Sequence, residues 1–417
     1  MLRADRSRAR GRGRVGVDWP RLLLVGVPAA ALLWLIVAVG LNEALRGSSP
    51  ASGLAIAPWD ARSKVRLAEQ QIRRSKAAVA NARAAQPLAV QALSRDATLA
   101  PAWRLLALGV AAAGDESRAS RLMHFGSSAS RRDLPTQLWL IEERVRAGDV
   151  SGALRHYDVA LQTSRAAAGL LLPILAQASA DDAVAIPLAE LLRADPTWFD
   201  AFLVQLQQGG LDSGKVARLL ERVAAGRAVP LPERYREVAG TMINRGDSAA
   251  GWRLLRLLAR DEPRPAIIVN AGFEKDSRNP PYDWSIADQL GVTGELREVE
   301  GAAKRALVLA ADTGDGGEVA RQLLPAAPGR YRLGMMFGDL PDAPWARTYV
   351  MVRCATLNPD TLFEAELPRP SRARERASFD LVVPARCPML WLMVGLRGNF
   401  DPGSTASWID DVSLRRL

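Results

Sequence analysis

Histidine is nearly missing from this sequence, which holds only His124 and His156 among 417 residues. With none beyond position 156, a histidine-based catalytic centre in the C-terminal half is excluded. Each sits in a helical context with no His, Cys or carboxylate at ligand spacing, the setting of a structural or surface histidine rather than a metal ligand. No G-x-S-x-G, H-E-x-x-H or glycine-rich phosphate loop occurs, so neither a nucleophile elbow nor a zincin helix nor a phosphate cradle is available. Lysine is scarce as well, with five residues against fifty arginines. Together with abundant alanine, that bias matches GC-rich codon usage rather than a phosphate-binding surface.

The formal net charge of +10 is unevenly placed. Residues 1–21 carry seven arginines (Arg3, Arg6, Arg8, Arg10, Arg12, Arg14, Arg21) against Asp5 and Asp18, a net +5 and half the total. The rest is spread thinly over the chain, so no basic stripe marks a nucleic-acid partner. A length of 417 residues with 48% hydrophobic and 24% charged residues fits two or three packed domains.

Residues 22–41, "LLLVGVPAAALLWLIVAVGL", contain no charge. At about 1.5 Å per residue a helix of that length spans about 30 Å, the hydrocarbon thickness of a bilayer. Arginines crowd its N-terminal flank, whereas Glu43 and Arg46 follow it. The positive-inside bias therefore keeps residues 1–21 as a cytoplasmic basic tail and exports the remainder to the periplasm. The competing expectation is a cleaved signal peptide, whose apolar core is usually about 7–15 residues; this run is longer and lacks a convincing A-x-A site. Pro28 is tolerable inside a membrane span. Residues 42–58, with "RGSSPASG" at 46–53, read as a linker.

From residue 59 to 262 apolar positions recur three and four apart, which is the helical period. "WRLLALGVAAAGDESRAS" (103–120) and "WLIEERVRAGDVSGALRH" (139–156) align on Gly114-Asp115 and Ala119 against Gly148-Asp149 and Ala153, an offset of 34 residues. "INRGDSAAGWRLLRLLA" (243–259) repeats the turn at Gly246-Asp247, and "RADPTWFDAFLVQLQQGG" (193–210) supplies a further first helix. This segment resembles a divergent tetratricopeptide array, in which a glycine-containing turn joins two antiparallel helices and a small residue lets them pack closely. The resemblance implies a concave surface that holds a protein partner. Trp103, Trp139, Trp198 and Trp252 read as packing residues within it.

Residues 263–417 change texture to short alternating apolar runs separated by prolines and glycine turns. "PRPAIIVNAGFE" (263–274), "RALVLAAD" (305–312), "GRYRLGMMFGDL" (329–340), "RTYVMVRCA" (347–355), "ASFDLVVPA" (377–385), "MLWLMVGL" (389–396) and "SWIDDVSL" (407–414) read as strands of a sandwich. Strict alternation in the last run places Asp410 with Trp408, Val412 and Leu414, and Asp411 with Ile409 and Ser413. One of the two carboxylates is thus aimed at apolar company, which is costly unless a cation or several hydrogen-bond donors meet it. "NAGFE" (270–274), "DWSI" (283–286), "APGRYRL" (327–333) and "WIDDVSL" (408–414) are similar to the landmarks of galactose-binding-like jelly rolls, the fold of many carbohydrate-binding modules. That resemblance implies a structural calcium near the joined chain ends, held by Glu274 and Asp410, with Asp411 as partner if a bulge shifts the register. The alternative is carboxylates satisfied by backbone N–H groups or an arginine.

Cys354 and Cys387, the only cysteines, fall on neighbouring strands. An oxidising compartment favours a disulfide between them, the alternative being two free thiols. Sugar stacking needs exposed aromatic rings, for which Trp345, Tyr349 and Trp391 are the candidates. The expectation is a multi-domain chain: a membrane helix, an all-α helical-repeat solenoid and an all-β jelly-roll sandwich. Its layout is similar to accessory proteins of bacterial exopolysaccharide assembly, which implies a non-catalytic adaptor with a protein partner and a polysaccharide ligand. The alternative function is an envelope glycoside hydrolase using paired carboxylates of the sandwich.

Overall fold

The computed structural model describes residues 19–74, 78–225, 233–259, 267–289, 291–300, 302, 304–312, 314–339, 346–370, 374–398 and 405–417. Among these, fourteen helices come first and eleven strands follow. The chain divides into two compact units, Met1–Ser164 and Arg165–Leu417.

The first unit holds α1 (Trp19–Leu45), α2 (Pro50–Ile56), α3 (Ala61–Arg74), α4 (Ala78–Leu93), α5 (Ala100–Ala112), α6 (Glu116–Ala129), α7 (Leu134–Arg146) and α8 (Val150–Thr163). Within α1, the stretch Leu24–Leu45 is long and apolar enough to cross a membrane, and Leu24, Leu33 and Ile36 face outward at 76%, 64% and 61% exposure. The expected linker at 42–58 is instead the last turn of α1 followed by α2. Its Gly-Ser-Pro composition misleads because Pro50 occupies the first helical turn, where a missing N–H costs nothing.

The repeated Gly-Asp turn does local work. Gly114 and Gly148 adopt φ of +94° and +71°, a conformation that costs a side-chain-bearing residue about 1 kcal/mol or more. Asp115 then accepts the Arg118 amide at 3.0 Å and Asp149 accepts the Gly152 amide at 2.8 Å, capping α6 and α8. Ala119 and Ala153 are buried where each second helix meets its first. Across the unit, the buried Arg104 of α5 donates to Glu69 of α3 at 2.5 Å and to Asp133 of α7 at 2.8 Å. Burial alone would lower its pKa, but the two carboxylates outweigh that and hold it above the ordinary arginine value.

The second unit begins with α9 (Arg165–Ala178), α10 (Asp182–Arg193), α11 (Phe199–Gln208), α12 (Ser213–Ala225), α13 (Arg234–Asn244) and α14 (Ser248–Leu258). The strands are β1 (Ser285–Ile286), β2 (Asp288–Gln289), β3 (Val292–Glu298), β4 (Arg305–Ala311), β5 (Gly317–Pro325), β6 (Gly329–Asp339), β7 (Thr348–Cys354), β8 (Thr361–Glu366), β9 (Glu375–Val383), β10 (Met389–Leu396) and β11 (Thr405–Arg416). They form two antiparallel sheets, ordered β1-β5-β10-β7-β8 and β2-β3-β4-β11-β6-β9. Leu307, Leu333, Val350 and Leu392 meet between them, and the fully buried rings of Phe273 and Trp284 close one end at 5.1 Å. Strands α-carbon-paired as β6 with β9 and β10 with β7 coincide with the runs expected at 329–340, 377–385, 389–396 and 347–355.

One expected strand is absent. The described part of 263–274 has no ladder partner strand; the buried Gln322 side chain of β5 takes that role, donating to the Val269 carbonyl at 2.9 Å and accepting its amide at 3.0 Å. Helices and sandwich join within this unit. Ile243 of α13 and Trp252 of α14 pack on Leu323, Ala355, Met389 and Trp391, and Ser248 Oγ donates to the Ala355 carbonyl at 2.8 Å.

Cys354, at the end of β7, is bonded to Cys387 with a Cα separation of 5.3 Å. The chain-entropy value for a bridge spanning 33 residues is about 3–4 kcal/mol. Replacing both cysteines by alanine should therefore lower the urea midpoint of the full chain, and dithiothreitol should lower it for the native sequence alone; a midpoint untouched by the reductant would remove this role for the bridge.

Candidate functional site

The acids of "SWIDDVSL" are separated by the backbone. β11 pairs with β6 in one register up to Asp410↔Met336 and in another from Ser413↔Gly334, so a bulge lies between them. Asp411 takes a φ of +46°. The bulge changes the parity of the strand: Ile409, Val412 and Leu414 all reach the sandwich core, while Trp408 joins Ala306 and Val308 on the opposite face. The expected alternation thus fails at Asp411. Asp410, buried at 3% exposure, accepts the Asp411 amide at 2.6 Å. Asp411 is exposed and accepts from Arg376 at 2.7 Å.

The structure keeps two of the three expected carboxylates together and separates the third. A side chain at Gly272 would lie 3.6 Å from Asp410 Oδ1 and 3.9 Å from Glu274 Cγ, so the structure brings those two acids to one glycine. Asp411 is turned away to Arg376. Among the described residues no three His, Cys, Asp or Glu side chains group as a metal set. A backbone bond pins the first and last segments, the Val412 amide donating to the Ala271 carbonyl at 2.9 Å.

The aromatic platforms also change meaning. Tyr349 is buried at 7% exposure, and the Arg397 guanidinium stands 4.3 Å over its ring. Trp391 is half-buried among Leu323, Ala355 and Met389, with Arg321 at 4.8 Å over its ring. An arginine therefore occupies the face on which a sugar would stack. Trp345 lies outside the described residues.

A different cluster emerges at the start of β5. Ser285, Asp315, Glu318 and Arg321 line a cleft of about 420 Å³ together with the backbone of Gly316 and Gly317. β1 places Ser285 opposite Arg321. Gly316 is obligatory here, because a Cβ would stand 2.4 Å from the Gly398 amide nitrogen, so the loop before β5 packs backbone to backbone on the segment after β10. Burial pushes the Glu318 carboxyl above the usual carboxylate range, against the opposing pull of Arg321 and Arg353; Arg321 Nε stands 3.5 Å from it. Two acceptors, one guanidinium and one hydroxyl face one space, a set that matches the mixed donors and acceptors of polyols. Periodicity gave no hint of it, since "DTGDGGEVARQ" reads as a turn.

The two histidines, 32 positions apart, also meet. Their ring centroids are 6.3 Å apart; His156 Nδ1 bonds Gln137 Oε1 at 2.9 Å and His124 Nε2 stands 3.4 Å from Glu143. Arg144 Nη2 is 3.5 Å from His124. Burial first, then His124, Arg144 and Arg155, hold His156 below the ordinary histidine value, with Glu143 opposing.

No family model matches the sequence, and no curated protein matches it. Solved structures similar to the sandwich include a family 61 carbohydrate-binding module in complex with β-1,4-galactotriose, at 17% identity over 36% of this chain and 96% of that one, with a TM-score of 0.26. A family 4 module is similar at 14% identity over 36% of this chain and 99% of that one, with a TM-score of 0.28. The family 22 xylan-binding domain of Paenibacillus barcinonensis Xyn10C follows at 13% over 35% of this chain and 92% of that one, with a TM-score of 0.27. At these scores the likeness assigns neither ligand nor site to this chain.

Two outcomes follow from the perturbed groups. A histidine kept neutral in the fold stabilises above its unfolded pKa of about 6.5, and that contribution is lost as pH falls through this value towards the folded one. His156→Gln should therefore flatten the acid side of the thermal stability profile; an unchanged profile would sink the assignment. Glu318 has the opposite sign: its raised folded pKa costs stability once pH exceeds the unfolded value. Glu318→Gln should raise Tm at neutral pH and leave it unchanged in acid, where both states are protonated.

Proposed function

We propose that the protein is a membrane-anchored, non-catalytic adaptor of the bacterial envelope, with the helical segment holding a protein partner and the sandwich holding a polysaccharide. It sits in the inner membrane through Leu24–Leu45, with the helices and the sandwich on the periplasmic side, in exopolysaccharide or envelope polysaccharide assembly. The observation that carries the glycan half is the cleft of Ser285, Asp315, Glu318 and Arg321. Recognition there runs through hydrogen bonds to sugar hydroxyls, since arginines cap both Tyr349 and Trp391. The exposed apolar surface of α1 supports the anchor. The tetratricopeptide-like turns support the adaptor reading, because the matching Gly-Asp-Ala positions pair α5 with α6 and α7 with α8 in the same way.

A second reading, glycan hydrolysis, is favoured by one observation: Glu318, with its pKa raised by burial, shares the cleft with a second carboxyl group, Asp315, and a pair of carboxyl groups is what glycosidases use. Arg321 beside Glu318 works against it by favouring the charged form.

Affinity electrophoresis of the detergent-solubilised chain in gels containing neutral or acidic bacterial polysaccharides tests the proposal. Retardation should weaken about ten- to a hundredfold in Glu318→Gln and Arg321→Gln, the loss of one charge-assisted hydrogen bond of about 1.5–3 kcal/mol. Retardation unchanged in both variants overturns the assignment of the cleft, and reducing ends released from the same glycans by the wild type but not by Glu318→Gln establish the enzyme reading instead.

A further inference from the structure

The chain between Arg46 and Asp60 holds thirteen residues, "GSSPASGLAIAPW" (47–59), without a charge. They do not lead away from the apolar helix. α2 folds back beside it, so that Ala38 and Asn42 of α1 and Gly53 and Ala57 of the return segment are buried. Gly53 sits directly against Asn42, where a Cβ would stand 2.6 Å from Oδ1. The Trp59 ring reaches Trp34, with centroids 5.9 Å apart, although Trp34 lies about 16 Å before the end of α1 by helical rise.

The outer side of this return is bare. Ala51, Ser52, Ala55 and Pro58 are exposed, and Trp59 is 37% exposed beside Trp34 at 57%. Through the Trp59–Trp34 contact this surface adjoins the exposed part of α1. Its backbone is satisfied locally: the amides of Ser49, Gly53, Ala57 and Asp60 donate to the carbonyls of Leu45, Ser49, Gly53 and Ala57 at 2.8–3.1 Å. That closure is what a segment needs to leave water. Its charged neighbours cluster at one level. Arg46 pairs with Glu43 at 2.6 Å and stands 3.6 Å from Asp60, while Asp60 accepts the Ser63 amide and Ser63 Oγ donates to Asn42, both at 2.8 Å. Burial works to raise the Asp60 carboxyl, yet the bonds from Ser63 and Asn42 and the charge of Arg46 hold it below the usual range. Next to Pro50, Arg66, Gln70 and Arg73 present one face of α3 to a cleft of about 460 Å³ shared with Arg46.

We infer that α2 and Trp59 form an interfacial collar that enters the lipid leaflet beside the anchor, with Arg66 and Arg73 at the phosphate level. This rests on the membrane reading of α1. The occupant of the bare face is the bilayer itself, because the segment returns along the span, carries no charge between Arg46 and Asp60, and brings Trp59 against Trp34 of the span, tryptophan being the residue type enriched in membrane-bound segments near the interface.

The test uses the full chain in phosphatidylglycerol–phosphatidylcholine vesicles, with the native cysteines kept oxidised and one added cysteine carrying an environment-sensitive fluorophore. Ala55→Cys probes the collar, Leu33→Cys the span and Ser378→Cys, exposed on β9, the aqueous control. The expected result is loss of Ala55→Cys emission with lipids bearing a nitroxide near the headgroup, to the extent seen for Leu33→Cys with a nitroxide near the chain end, and no loss for Ser378→Cys. Quenching of Leu33→Cys with Ala55→Cys as silent as the control overturns the collar and leaves the anchor standing. Silence of both overturns the membrane reading and the collar with it.

Discussion

The sandwich depends on where its last strand can lie. β11 occupies the centre of the six-stranded sheet between β4 and β6, so both of its edges are committed and neither neighbour can be moved without the other. A central strand must satisfy two registers at once. The ladder with β4 runs from Thr405 to Ile409, and that with β6 is complete only if one irregularity is inserted between Asp410 and Ser413. The left-handed backbone of Asp411 is the cost of that insertion, of the order of 1–2 kcal/mol for a residue with a Cβ. It is offset by three apolar side chains, Ile409, Val412 and Leu414, reaching the core on a strand that strict alternation would have split between two faces. At roughly 1.5–3 kcal/mol for each fully buried aliphatic side chain, the packing wins.

The same geometry decides the fate of the carboxylates. Asp410, before the bulge, is carried under the 270–274 turn and accepts a backbone amide. Asp411, at the bulge, is thrown to the surface, where its pair with Arg376, at 61% and 64% side-chain exposure, contributes at most about 1 kcal/mol. On the other sheet, arginines take the place that a ligand would need. Arg397 and Arg321 lie over Tyr349 and Trp391, and each also faces an acid, Glu364 and Glu318 respectively. On the proposed reading, glycan contact on this sheet would run through the start of β5, where burial raises the pKa of the Glu318 carboxyl.

What the sequence made legible was what short spans decide. A glycine with positive φ followed by an aspartate cap needs only four residues to operate, so the turns at Gly114 and Gly148 could be read from their spacing. Apolar alternation in "RALVLAAD" and "MLWLMVGL" likewise announced β4 and β10. β3 and β8 escaped because "VTGELRE" and "TLFEAE" mix charges into strands whose outer faces meet water, and β5 because "GEVARQLLP" carries charges and a glycine although most of the strand is covered. The 263–274 run was apolar enough for a strand, yet its hydrogen-bonding partner is the side chain of Gln322, which no periodicity reveals. The pairing of His124 with His156 arises from stacking of successive helix pairs, and the bulge at Asp411 from the competing registers of two strands distant in sequence.

The junction between α1 and the rest of the first unit follows the same logic of local satisfaction. Asn42 is a poor residue for the end of an apolar helix unless its amide is met, because a buried unpaired amide costs about 1–3 kcal/mol. Ser63 meets it, Asp60 holds Ser63, and Arg46 neutralises Asp60. This chain of four residues ties the last turn of α1 to the first turn of α3 across the α2 return, so the apolar helix is not joined to the helical unit by a free tether. On the proposed adaptor reading, a partner bound to α3–α8 would be held at a set distance from the helix end. For an adaptor, that constraint is more useful than reach: it limits the search to one plane and raises the effective concentration of groups already confined there.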